Sequence, residues 1–100
     1  MKTVIEEKNG LVVVSVQGEL DTNTSQQFQN DIEPLMDRKD TNVELDLSKL
    51  EYMSSKALRI IVAFQQAVMK NGGTFKVTKV TDAVREVFEM TGLARSLFAE

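Results

Sequence analysis

The residues best placed to do chemistry lie between Leu45 and Arg59, Leu-Asp-Leu-Ser-Lys-Leu-Glu-Tyr-Met-Ser-Ser-Lys-Ala-Leu-Arg, where a strand and a loop run into a long apolar helix. That helix is expected to start at Ser54 or Ser55. A helix N-terminus presents unpaired N–H groups and about half a positive charge. A phosphate esterified to a serine there would be held by those donors, with Lys56 adding a cation. The same serines also suit the plainer task of capping the helix, which is the commoner use of Ser at such a junction. On residue chemistry alone the cap is favoured.

Other candidate groups are sparser. Arg59, one turn after Ser55, suits either a phosphate or interface contact or an ordinary solvated helix face. Glu44 and Asp46 share a strand face by period two, and with Asp21 they would make a carboxylate cluster for a hard divalent cation. Solvated or sheet-edge acids are the alternative and the commoner case. The five Met residues are scattered, as core filling or interface adaptability would have them. With no His and no Cys, the chain cannot assemble a Ser-His-Asp triad, a thiolate nucleophile or a thiolate zinc site. A serine hydrolase would need another base, and Leu58 stands where a Ser-x-x-Lys pair starting at Ser55 would need its Lys. Gly-x-x-x-x-Gly-Lys and Gly-x-Gly-x-x-Gly loops are both missing. The expectation is a protein that is not an enzyme and takes no cofactor and no metal.

The elements that must position these groups follow from periodicity and punctuation. Thr3–Glu7 and Leu11–Val16 are strand-like, and Asn9-Gly10 between them is a turn pair that accepts positive φ at both positions, so a β-hairpin opens the chain. After Gly18-Glu19-Leu20, any of Asp21, Thr22 and Thr24 can cap a helix with Phe28, Ile32, Leu35 and Met36 inward. Pro34 interrupts that pattern, which predicts a kink or break near Asn30–Glu33. Asp37–Asn42 reads as a charged connector, Val43–Leu47 as a short alternating strand and Ser48–Met53 as a loop. The strongest helix then runs to Lys70, where Asn71-Gly72-Gly73 ends it. Thr74–Val80 reads as a strand, Thr81 or Asp82 as the cap of a helix with Val84, Val87 and Phe88 inward, Gly92 as its terminator, and Ala94–Phe98 as a last short turn. The order β-β-α-β-α-β-α implies an α/β fold with a mixed sheet, an antiparallel hairpin followed by parallel strands reached through helices.

Composition bounds the class. One hundred residues, 42% apolar and 27% charged, are expected to form one domain over residues 1–100, without a linker, and not a disordered chain. Twelve basic against fifteen acidic side chains give a net charge of −3 with no dense basic cluster, so neither nucleic acid nor an anionic membrane is a natural partner. The first ten residues lack the basic start and apolar run of a signal peptide, and the apolar stretch Ala57–Met69 is too short to span a bilayer. With no Cys to be oxidised, a cytoplasmic protein is expected. The exposed hairpin edge would allow at most weak pairing, a monomer or weak dimer, given its Lys and Glu residues.

Four motifs in order then carry a resemblance. Gly-Glu-Leu-Asp at 18–21, Leu-Asp-Leu-Ser with Tyr-Met-Ser-Ser-x-x-Leu-Arg at 45–59, Asn-Gly-Gly at 71–73 and Val-x-x-Val-Phe-x-Met-Thr-Gly-Leu at 84–93 together resemble a STAS domain, the fold of sulfate transporters and anti-sigma factor antagonists. At this length the chain is similar to the stand-alone bacterial anti-sigma factor antagonists. The resemblance implies binding to an anti-sigma factor that is also a serine kinase, release of a sigma factor, and switching by phosphorylation, with a PP2C-type phosphatase as a further partner. Carried over by position, it makes Ser55 the phosphoacceptor, with Asp21, Ser54, Lys56, Ala57 and Arg59 on the partner surface. The family's acid before the acceptor is here Ser54, and its glycine two positions after the acceptor is here Ala57. Those departures keep an alternative open, an unphosphorylated STAS accessory subunit of a transporter ATPase or another signalling assembly.

Overall fold

The computed structural model describes residues 1–90 and Gly92; the turn expected at Ala94–Phe98 lies outside the described residues. Its elements follow in the order β1 (Lys2–Lys8), β2 (Leu11–Leu20), α1 (Thr24–Met36), β3 (Asn42–Met53), α2 (Ser55–Lys70), β4 (Thr74–Val80) and α3 (Asp82–Met90). The four strands form one mixed sheet in the order β1-β2-β3-β4, with β1 antiparallel to β2 and the other two pairs parallel. This is the α/β arrangement that the element order implies.

The hairpin closes on Asn9 and Gly10, with φ of 54° and 82°, and Lys8 pairs directly with Leu11. Both turn residues are left-handed, the backbone that follows the native twist of the strands. On the sheet, Val12, Val14 and Val16 of β2 stand beside Val43 and Leu45 of β3, which pair in turn with Phe75 and Val77 of β4. All of these are buried, and α1 and α2 cover them through Phe28, Ile32, Ile61 and Phe64, with Val84 and Phe88 of α3 joining the same core. The other face carries Glu44, Asp46 and Lys76 and faces solvent or is only half-buried.

Two local expectations need correction. Ser48–Met53 is not a loop, because β3 continues to Met53 and pairs with β2 along its length. Between the pairs Ser15–Asp46 and Gln17–Lys49, and again between Gly18–Leu50 and Glu19–Tyr52, β3 contributes one residue more than β2. These bulges turn the inward spacing from two to three, so Leu47, Leu50 and Met53 are all buried while strict alternation is lost. Of the kink or break expected near Asn30–Glu33, the break does not occur, and α1 runs from Thr24 to Met36 with Pro34 inside it. Pro34 falls in the last turn, so it removes only the bond to the carbonyl of Asn30, an exposed residue.

The end of α2 is more tightly built. Gly73 N–H donates to Val68 O (2.9 Å) and Gly72 N–H to Met69 O (3.1 Å), the paired bonds of a Schellman cap with Gly72 left-handed at φ 87°. A Cβ on Gly73 would stand 1.9 Å from Thr41 O, so only glycine lets this turn pass under the start of β3.

Candidate functional site

The last residues of β2 and β3 bring the candidate site together. Ser54 N–H donates to Leu20 O (2.8 Å), which fixes the start of α2 against the end of β2. Ser54 has extended backbone (φ −82°, ψ 165°), its Oγ accepts from Ala57 N–H (3.2 Å), and its carbonyl accepts the first helical bond from Leu58 N–H (3.1 Å). It is therefore the N-cap of α2. Ser55 is the first residue of the helix proper, exposed, with its hydroxyl not used in the cap. The structure thus divides the two serines that the sequence leaves interchangeable.

Asp21 stands on the turn into α1. Its Oδ1 accepts from Thr24 N–H (2.8 Å) and Asn23 N–H (2.9 Å), with Thr24 Oγ1 at 3.1 Å, while Thr24 Oγ1 accepts from Asp21 N–H (3.0 Å). Bonds from Thr24 above all hold its carboxyl below the usual aspartate range. Asp21 thus caps α1 from outside the first turn, and Asn23, the residue before the helix, supplies no side-chain cap.

Ser25 joins the two helix starts and was not anticipated. It is fully buried, its hydroxyl donates to Asp21 O, and its Oγ lies 3.5 Å from Ser54 Oγ. The signal was present: Ser25, Phe28, Ile32 and Leu35 form one inward stripe of α1, and a Ser on such a stripe must find a polar partner.

The remaining expected residues separate. Lys56, half-buried, and Arg59, exposed, project from the first turns of α2 toward α1 and line an open groove of about 360 Å³ with Gln29, Met36, Ile60 and Ala63. Ala57, expected on the partner surface, is fully buried in the core and offers no side-chain surface. The carboxylate cluster is not assembled, since Asp21 is held in its turn while Glu44 and Asp46 lie on the open face of β3 opposite Val13 and Ser15. Partial burial of Asp46 opposes its ionisation, but the Ser48 N–H (2.9 Å) and side chain, with Lys79 and Lys49, outweigh that and lower its pKa. Among the described residues no group of three or more His, Cys, Asp or Glu could hold a metal ion, and no helix is long and apolar enough to cross a membrane.

Comparison with known proteins agrees with this architecture. The family model for the STAS domain matches residues 2–99. The anti-sigma F factor antagonist of Paenibacillus polymyxa is 28% identical over 90 residues, covering 89% of this chain and 77% of that protein. The crystal structure of an anti-sigma factor antagonist from Mycobacterium paratuberculosis superposes with a TM-score of 0.85 at 30% identity, over 96% of this chain and 81% of that one. The anti-sigma factor antagonist SpoIIAA in its unphosphorylated form shares the fold, with a TM-score of 0.82 at 19% identity over 97% of this chain and 86% of that one.

Proposed function

The chain belongs to the STAS domain family, and from that premise we propose that it is an anti-sigma factor antagonist, a binding regulator and not an enzyme. It binds an anti-sigma factor that is also a serine kinase, which releases the sigma factor, and phosphorylation of Ser55 switches that binding off. A PP2C-type phosphatase resets the switch. The partner surface comprises Ser55 with Asp21, Ser54, Lys56 and Arg59.

The observation that carries this reading is the division between the two serines: Ser54 holds the helix, and Ser55, exposed one residue later, is available for modification. A phosphate there adds roughly −1.5 to −2 charges at a helix N-terminus, where it is locally tolerated. It also places that charge and bulk in the middle of the binding surface, where an acidic or apolar partner is repelled. Supporting company comes from the antagonists of Paenibacillus polymyxa and Mycobacterium paratuberculosis named above.

The test is the intact mass of the protein isolated from its own organism in growing and stressed cells, with fragmentation to locate any modification and with the co-purifying kinase identified. One phosphate on Ser55 that varies with condition is the expected result. An abundant protein that never carries phosphate and co-purifies with a transport ATPase would instead make it the accessory subunit.

A further inference from the structure

We propose that the groove between α1 and α2 is a second half of the partner surface, one that takes an apolar side chain flanked by carboxylates from the anti-sigma factor. This rests on the antagonist reading and deepens it. The groove holds about 360 Å³ and is lined by Lys56, next to the phosphoacceptor on α2, and by Arg59, one turn after it, so it lies beside the Ser55 surface.

Its chemistry selects the occupant. Met36, Ile60 and Ala63 supply apolar lining, Lys56 and Arg59 two cations, and Gln29 on α1 a neutral donor and acceptor. Among the described residues that line it none is acidic, in a chain whose net charge is −3. A partner segment presenting a Leu, Ile or Met between Asp or Glu residues would bury the apolar side chain and pair its acids with the cations. A flexible Met side chain accommodates such an insertion without fixing one shape.

The groove also explains how one phosphate can act beyond its own position. Ser55 and Arg59 are four apart on α2 and therefore neighbours on one helix face. A phosphate on Ser55 attracts the Arg59 guanidinium and the Lys56 ammonium and takes both from the partner's carboxylates. Phosphorylation then removes the attraction that recruits the acidic segment, in addition to adding repulsion.

The probe is the purified kinase that modifies Ser55, titrated against the full-length protein without ATP so that no phosphate is transferred. Arg59→Glu and Ala63→Glu both alter exposed positions and should leave the melting temperature close to wild type, with affinity lowered at least tenfold. Lys76→Glu, on the open sheet face, should leave affinity unchanged. Wild-type affinity should fall as salt rises, and more steeply than that of Arg59→Ala. If Ala63→Glu binds within twofold of wild type while Arg59→Glu and Ser55→Asp bind weakly or not at all, the groove is not part of the surface and the antagonist reading stands alone. If they instead dissolve a dimer of this chain without changing kinase affinity, the groove belongs to a second copy and the inference falls. If wild type itself binds no such kinase, the antagonist reading fails and the groove assignment fails with it.

Discussion

At the scale of single residues, the site depends on adjacent serines having different work. Ser54 Oγ satisfies Ala57 N–H, so Ser54→Ala should cost about 1 kcal/mol of stability, the usual value of an N-cap, seen as a lower denaturant midpoint. Ser55→Ala should leave that midpoint where it was, and an equal loss at both positions would mean that the cap is shared. Ser55→Asp should weaken kinase binding by two to three decades, about 3–4 kcal/mol, by calorimetric titration; affinity equal to wild type would sink the switch. Asp21 adds a pH dependence. Its bonds from Thr24 lower its folded pKa, so the folded state is favoured fully above the unfolded value near pH 4 and loses that support as pH falls through the folded value. In Asp21→Ala the acid limb of a stability-versus-pH curve should be shallower, and a limb of unchanged steepness would show that other carboxylates carry it.

At the scale of elements, glycine placement makes the sharpest demand. Gly73→Ala should leave little folded protein in a thermal melt, because its methyl carbon would sit 1.9 Å from a backbone oxygen of Thr41 that cannot move without shifting β3. A variant melting within a few degrees of wild type would show that this turn can open. The hairpin, the three helices and the parallel strands were legible because each rests on local signals: Asn9-Gly10 for the turn, a stripe on α1, Asn71-Gly72-Gly73 for the end of α2. The second half of β3 was not, since two bulges replace its period of two with steps of three, and bulges depend on the facing strand. Pro34 misled for a related reason, its cost being set by how close it lies to the helix end, which periodicity fixes only loosely. In the site, Ser54 and Ser55 were found together, but which of them caps depends on the bond from Ser54 N–H to Leu20 O, a contact 34 residues apart in sequence. Ala57 was assigned to the surface through its alignment with a family glycine, and its burial follows from the inward face of α2.

At the scale of the whole molecule, the topology separates two ends with different duties. Leu20 and Met53 pair at the ends of β2 and β3, and the starts of α1 and α2 follow directly, so the residues proposed for the switch gather beyond the carboxyl ends of the strands. Open α/β sheets place their ligands at that end because the helix N-termini and the loops converge there. The opposite end holds the Asn9-Gly10 turn, the connector around Asp40 and the cap at Gly72-Gly73, joined by the bond from Asp40 N–H to Asn71 O (2.9 Å). The ten residues of β2 put roughly 30 Å between the two, at about 3.3 Å per residue. Stability and switching should therefore separate by mutation. Asn9→Val forces a β-branched residue into left-handed backbone at φ 54°, at a cost of about 1–2 kcal/mol or more. The variant should melt earlier yet, at a temperature where it is still folded, take phosphate on Ser55 and bind the kinase within twofold of wild type. A large change in either rate or affinity at unchanged fold would mean that the hairpin end is coupled to the switch through the sheet, and that the two ends do not act independently.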